Sequence, residues 1–300
     1  MPGYLERYQQ GECVQVWKEL VAAGDAVRAE PLYGEARAVA QETMRRAKQN
    51  VDLLVKRLRG IGYEFQFPEE VIQPASPNLL ADLDAFEREV GPVPLSLRAW
   101  VEVVGSVNLM GSYPRLSYYH DSSANPIFAM RGEDGEVETF DLDSMFQGMS
   151  PDHLPPEFSN AFGKLQGMFK VLQSMQGKER PERKAIAEED RVESDPLVFE
   201  PMEIAVEVYE EWLDYEDEPF FAVLAPDIFH KANVSGGDGL GMVLPNAAAD
   251  APLLNTEWGT LTFVEYLRLS FEWAGFPGLQ EYDRRDDALL SALKEGLLPL

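Results

Sequence analysis

The chain has 300 residues and a formal net charge of −26, from 26 Lys plus Arg against 52 Asp plus Glu; it is long enough for about two domains of ordinary size. Its 45% hydrophobic and 11% aromatic content is that of a folded globular protein and excludes wholesale disorder, and a single cysteine, Cys13, excludes an internal disulfide framework. Counterion release requires Lys and Arg against phosphates, so the charge argues against nucleic acid or an anionic membrane surface as the partner of the whole chain. The opening Met1-Pro2-Gly3-Tyr4-Leu5-Glu6-Arg7 lacks a basic stretch followed by an apolar one, and no run of roughly 18 apolar residues occurs. The expectation is a soluble, cytoplasmic protein.

The acidity is unevenly placed. Residues 1–66 hold 10 basic and 9 acidic side chains, which leaves 16 and 43 for residues 67–300. The first stretch reads as a helical domain. Val14, Trp17, Leu20 and Val21 recur at helical spacing before Gly24. Ala36, Val39, Ala40, Thr43, Met44, Ala47, Val51, Leu54, Val55 and Leu58 then keep one apolar stripe over six turns, until Gly60 and Gly62. The outer face of this helix carries Arg45, Arg46, Lys48, Lys56, Arg57 and Arg59. With no aromatic residue interleaved, that face reads as solvated, or as packing on the acidic part of the same chain.

Pro68, Pro74 and Pro77 mark a boundary. Asn78 is positioned to cap a helix through Leu79, Leu80, Leu83, Phe86 and Val90, closed by Gly91; Pro94 opens another through Leu97, Trp100, Val101 and Val104, closed by Gly105. Together they predict a helical hairpin over 78–105. Residues 125–130 and 137–140 then read as two strands around Gly132-Glu133-Asp134-Gly135. A Met- and Phe-rich segment from Met145 to Met175 passes into the charged run KERPERKAIAEEDRVE, and about 121–193 reads as an insertion. Short apolar runs at 197–199, 220–224 and 241–244 suit buried strands. Leu261, Val264, Leu267, Leu269 and Phe271, between Thr260 and Gly275, suit a closing helix. Strands among helices in this order make residues 67–300 an α+β domain.

Few residues point to chemistry. His120, His153 and His230 lie far apart without a second ligand at metal spacing, so no metal site is expected. Cys13, on an amphipathic helix, reads as packing. Ser235-Gly236-Gly237-Asp238-Gly239-Leu240-Gly241 lacks the lysine and following helix of a phosphate loop and reads as a tight connection between strands. No cofactor motif occurs, and no catalytic residue is assigned. The segment VEVYEEWLDYEDEPF interleaves Glu207, Glu210, Glu211, Asp214, Glu216, Asp217 and Glu218 with Tyr209, Trp212 and Tyr215. Carboxylates steer and pair with Lys and Arg, while Tyr and Trp anchor interfaces. This strip is the candidate partner-binding surface; the alternative is a solvated face whose aromatic residues point inward.

Four segments, PLSLRAWVEVVGSVNLMGSYP, DPLVFEPMEIAVEVYEEW, FFAVLAPDIFHKANVSGGDGLGMVLPNAAADAPL and GTLTFVEYLRLSFEWAGFPGL, resemble in order the SUKH superfamily, which includes bacterial immunity proteins and a fungal cell-wall regulator. The resemblance covers about residues 78–280 apart from the insertion. It departs after Gly105, where many relatives have a further Gly and this chain has Ser106-Val107-Asn108. It implies a mostly antiparallel curved sheet with flanking helices, here preceded by the small all-α domain of residues 1–66. It also implies a non-catalytic module that binds proteins. An acidic immunity protein neutralising a basic bacterial toxin domain by stoichiometric binding is the first expectation. An intracellular scaffold or regulator, holding partners with the helical domain and the insertion, is the second. Nothing in the sequence sets an oligomeric state.

Overall fold

The computed structural model describes residues 2–120, 127–131, 137–141, 186–202, 209, 219–234 and 237–300. Helices α1 (Tyr4–Gln9) and α2 (Cys13–Ala22) lead into α3 (Leu32–Ile61), thirty residues long. The apolar stripe of α3 is its buried face, with Val39, Met44, Val51, Leu54 and Leu58 fully enclosed. Gly62, at φ +84°, stops the helix, and Tyr63 N donates to Leu58 O; a left-handed residue there costs glycine no steric penalty. Cys13 is buried against α3, its Sγ 3.4 Å from Arg46 Nη1.

The basic face of α3 is only partly a solvated ion-pair face. Lys48 pairs with Asp52, and Arg45 and Arg46 pair with Glu42 of the same helix. Two of its arginines, with Asn50, reach the last residues of the chain through backbone groups. Arg57 donates to Leu293 O, Arg46 donates to Pro299 O, and Asn50 donates from Nδ2 to Leu298 O and accepts at Oδ1 from Leu298 N. These partners belong to the acidic part of the chain, but they are carbonyls and an amide, not carboxylates.

Strand β1 (Glu64–Phe65) and β2 (Ile72–Gln73) precede α4 (Pro77–Glu89), whose cap is Ser76 accepting from Leu79 N, one turn position earlier than the expected Asn78. Helix α5 (Leu95–Val103) follows. Arg98 ties the two helices together through Asp84, Glu87 and Glu102. Gly105, at φ +86°, turns the chain into β3 (Ser106–Asn108) and β4 (Gly111–Ser112). A Cβ on Gly105 would lie 2.1 Å from Gln73 O and 2.8 Å from Ala75 N. Gly105→Ala is accordingly expected to cost more than about 2 kcal/mol in urea denaturation, from left-handed strain plus this clash. Gly259→Ala, at φ +76° with nothing within 4 Å, should lose only the smaller strain share.

Strands β5 (Ile127–Arg131) and β6 (Val137–Asp141) pair antiparallel with Phe128 opposite Phe140, as the sequence predicts. The Met-rich segment and residues 142–185 lie outside the described residues. Residues 186–193 pack onto the body, with Val192 buried and Arg115 paired with Asp190 at 2.7 Å. Next come β7 (Val198–Phe199), β8 (Phe220–Ala225), the short α6 (Ile228–Lys231), β9 (Leu240–Leu244), β10 (Pro252–Leu253) and β11 (Leu261–Thr262). The glycine string is not a tight turn, because α6 and the loop after it separate β8 from β9.

The chain is a mixed α+β protein whose described strand pairs are all antiparallel. Short ladders replace one continuous sheet: β1 with β4, then β2, β3 and β7 in order, then β8 with β9, and β10 with β11. Isolated backbone bonds link some of them: Glu200 N donates to Leu224 O, and Gly241 and Leu254 exchange a pair. Helix α7 (Phe263–Glu272) begins in a capping box of Thr262 and Glu265 rather than at Thr260, and α8 (Asp287–Lys294) closes the fold. Buried Asp250 holds the starts of α5 and α7 together, accepting from Ser96 Oγ at 2.6 Å and Val264 N at 3.1 Å.

The buried side chains of residues 1–66 and of the remainder form one core cluster. Trp100 of α5 lies at its centre, with ring centroids 5.2 Å from Phe199 and 5.6 Å from Phe263. Among the described residues, no helix is long and apolar enough to cross a membrane.

Candidate functional site

A cleft of about 740 Å³ opens where five segments meet. Tyr118 and His120 come from the stretch after β4, and Glu188, Arg191 and Glu193 come from the stretch before β7. Helix α6 supplies Phe229, and the loops before and after α7 supply Glu257, Trp258, Glu281 and Tyr282. The volume lies in the range of ligand sites, and aromatic walls with several carboxylates give it a definite character.

The walls are held from beneath. Asp227 caps α6, accepting from Phe229 N at 2.8 Å and His230 N at 3.2 Å, and its other oxygen meets the His230 ring. Gly237 passes so close that a Cβ there would lie 2.7 Å from Asp227 Cγ. The end of α6 is stitched to the cleft's far wall by His120 N donating to Ala232 O and Asn233 Nδ2 donating to His120 O. Lys231, 2% exposed, points inward. Its Nζ donates to Asp195 Oδ1 at 2.6 Å and to the Tyr266 hydroxyl at 3.3 Å, while Trp258 Nε1 donates to Asp195 Oδ2 at 3.0 Å. Asp195 is itself left-handed, at φ +49°. Burial pulls the Lys231 ammonium down, but the Asp195 carboxylate and Tyr266 outweigh it and hold the pKa above the ordinary lysine value. Trp258 is thereby fixed in orientation by a group it shares with a buried cation.

The open cleft is anionic. Glu188, Glu193, Glu257 and Glu281 stand in its lining against Arg191 and His120. Burial pushes the Glu193 carboxyl up, and His120 opposes that shift. Arg191 lies over the Tyr118 ring, 4.8 Å from its centroid. The Thr256 hydroxyl donates to Gly259 O at 2.6 Å. Lys231 stays protonated, so it is no base. Among the described residues, no three His, Cys, Asp or Glu side chains gather as a metal site. Carboxylates and fixed aromatic faces suit the recognition of cations.

Of the strip expected to bind a partner, Glu207, Glu210, Glu211, Trp212, Asp214, Tyr215, Glu216, Asp217 and Glu218 lie outside the described residues. Tyr209 is placed, and its ring packs edge-on against Phe86 at 5.1 Å and Phe220 at 4.9 Å; this aromatic residue faces the core. The cleft itself was not legible in the sequence. Glu188, Arg191 and Glu193 belong to the charged run read there as solvated, and only folding sets them opposite Trp258 and Tyr282. Comparison with protein-family models, with curated proteins and with solved structures finds no match to this chain.

Proposed function

We propose that the chain is a non-catalytic protein-binding module that pairs stoichiometrically with a basic protein. In this reading it is a SUKH-like cytoplasmic immunity protein, and the partner is a bacterial toxin domain. The observation that carries the reading is where the cations go. Arg7, Arg45, Arg98, Arg115 and Arg285 pair with carboxylates of this chain, Arg28, Arg57 and Arg268 donate to its carbonyls, and Lys231 is buried. Cations already paired within the chain are less available to a polyanion, and acidic groups outnumber basic ones by 26. Such a field speeds encounter with a basic protein and suppresses acidic partners. The scaffold alternative draws less support, because the N-terminal helices bury their apolar faces in the common core and do not stand apart as a second binding unit.

The test is capture on the tagged full-length chain at low salt from cells that produce it, with release by a salt gradient. One basic protein in equal amount, released as ionic strength rises, is the expected result. Several acidic or neutral proteins, held regardless of salt, would overturn the reading in favour of a scaffold.

A further inference from the structure

We propose that the cleft between Tyr118, Glu193, Trp258 and Tyr282 captures the guanidinium of an arginine presented by the partner protein. The inference deepens the binding reading above and rests on it. Four glutamates line the cleft against one arginine and one histidine, so its own cations leave net negative charge facing the opening. Four aromatic residues, Tyr118, Phe229, Trp258 and Tyr282, line it as well, and a planar, weakly hydrated guanidinium stacks on such faces better than a compact ammonium. The cleft already holds one example, since Arg191 stacks on Tyr118 at 4.8 Å. The Trp258 ring is held in place by its bond to Asp195, so an incoming group meets a fixed face. Burial disfavours the Glu193 carboxylate, and a cation arriving beside it offsets that cost by its charge.

The probe is a blocked Gly-Arg-Gly-Arg-Gly peptide, titrated calorimetrically into the full-length chain at low salt. The lysine and citrulline counterparts and spermidine are titrated alongside. The arginine peptide should bind several-fold more tightly than the lysine peptide or spermidine, and the uncharged citrulline peptide should not bind. Glu257→Gln combined with Glu281→Gln, both exposed and safe for folding, should weaken it about tenfold. Glu6→Gln with Glu30→Gln, on α1 and in the turn before α3 and outside the lining, should leave it unchanged.

Equal binding of arginine, lysine and spermidine would overturn the guanidinium assignment. Binding that ignores Glu257 and Glu281 yet falls with salt would remove the cleft and leave the acidic-binder reading standing. Absence of binding to every cationic probe, with a basic partner still captured by the whole chain, would defeat the inference alone; failure of both captures would defeat the function as well.

Discussion

Lys231→Met is expected to cost about 3–5 kcal/mol of folding stability, because it removes one member of a buried ion pair and leaves Asp195 charged beneath the cleft. Methionine nearly matches the volume of the lysine stem, so lost packing contributes little and the loss measures the uncompensated carboxylate. Asp195→Asn added to Lys231→Met should recover most of it, since asparagine tolerates the left-handed backbone and carries no charge. The pair also sets a pH dependence. A lysine whose folded value lies above its ordinary 10.5 contributes stability that is fully present below that pH and lost only as pH rises through the raised folded value. Chemical denaturation of the two variants and the wild type at neutral pH checks the first claim. If Lys231→Met and the double variant prove equally stable, Asp195 is not left unpaired and the account of the cleft floor is wrong.

Trp100→Ala should cost about 3–5 kcal/mol, the price of emptying the largest fully enclosed side chain in the core. Its ring joins Phe199 of β7 to Phe263 of α7, so the cavity would lie between sheet and helix, where neither can easily move inward. Trp100→Phe should cost much less than Trp100→Ala. The buried indole N–H has no acceptor among the described residues, so its removal costs no hydrogen bond seen there and relieves an unsatisfied donor. Thermal unfolding of the two variants separates these shares. A phenylalanine variant as unstable as the alanine one would mean that the indole N–H is bonded after all.

How far the sequence carried the analysis depended on whether a pattern was local. The apolar stripe of α3, its stop at Gly62 and the pairing of β5 with β6 are set by residues close in sequence, and the structure has them where expected. Caps were displaced by two residues, from Asn78 to Ser76 and from Thr260 to Thr262, because several residues near each helix start can cap and tertiary position selects one. An amphipathic face does not name what covers it, so the joint core of residues 1–66 with α5 was not readable. Lysine is rarely enclosed, and in the short Ile228–Lys231 helix nothing marked Lys231 as different from an exposed neighbour. Its partner Asp195 is 36 residues away. The cleft has the same cause of invisibility: its carboxylates and rings come from five segments, none of which points to a site by itself.

The most direct test of the central claim is capture from producing cells on two chains side by side, the wild type and a variant with Glu188, Glu193, Glu257 and Glu281 all replaced by glutamine. At low salt a basic protein should be held by the wild type in equal amount and be absent or strongly reduced on the variant. The same basic protein held equally by both chains would contradict the assignment of the cleft, and no basic protein on either would contradict the function proposed for the chain.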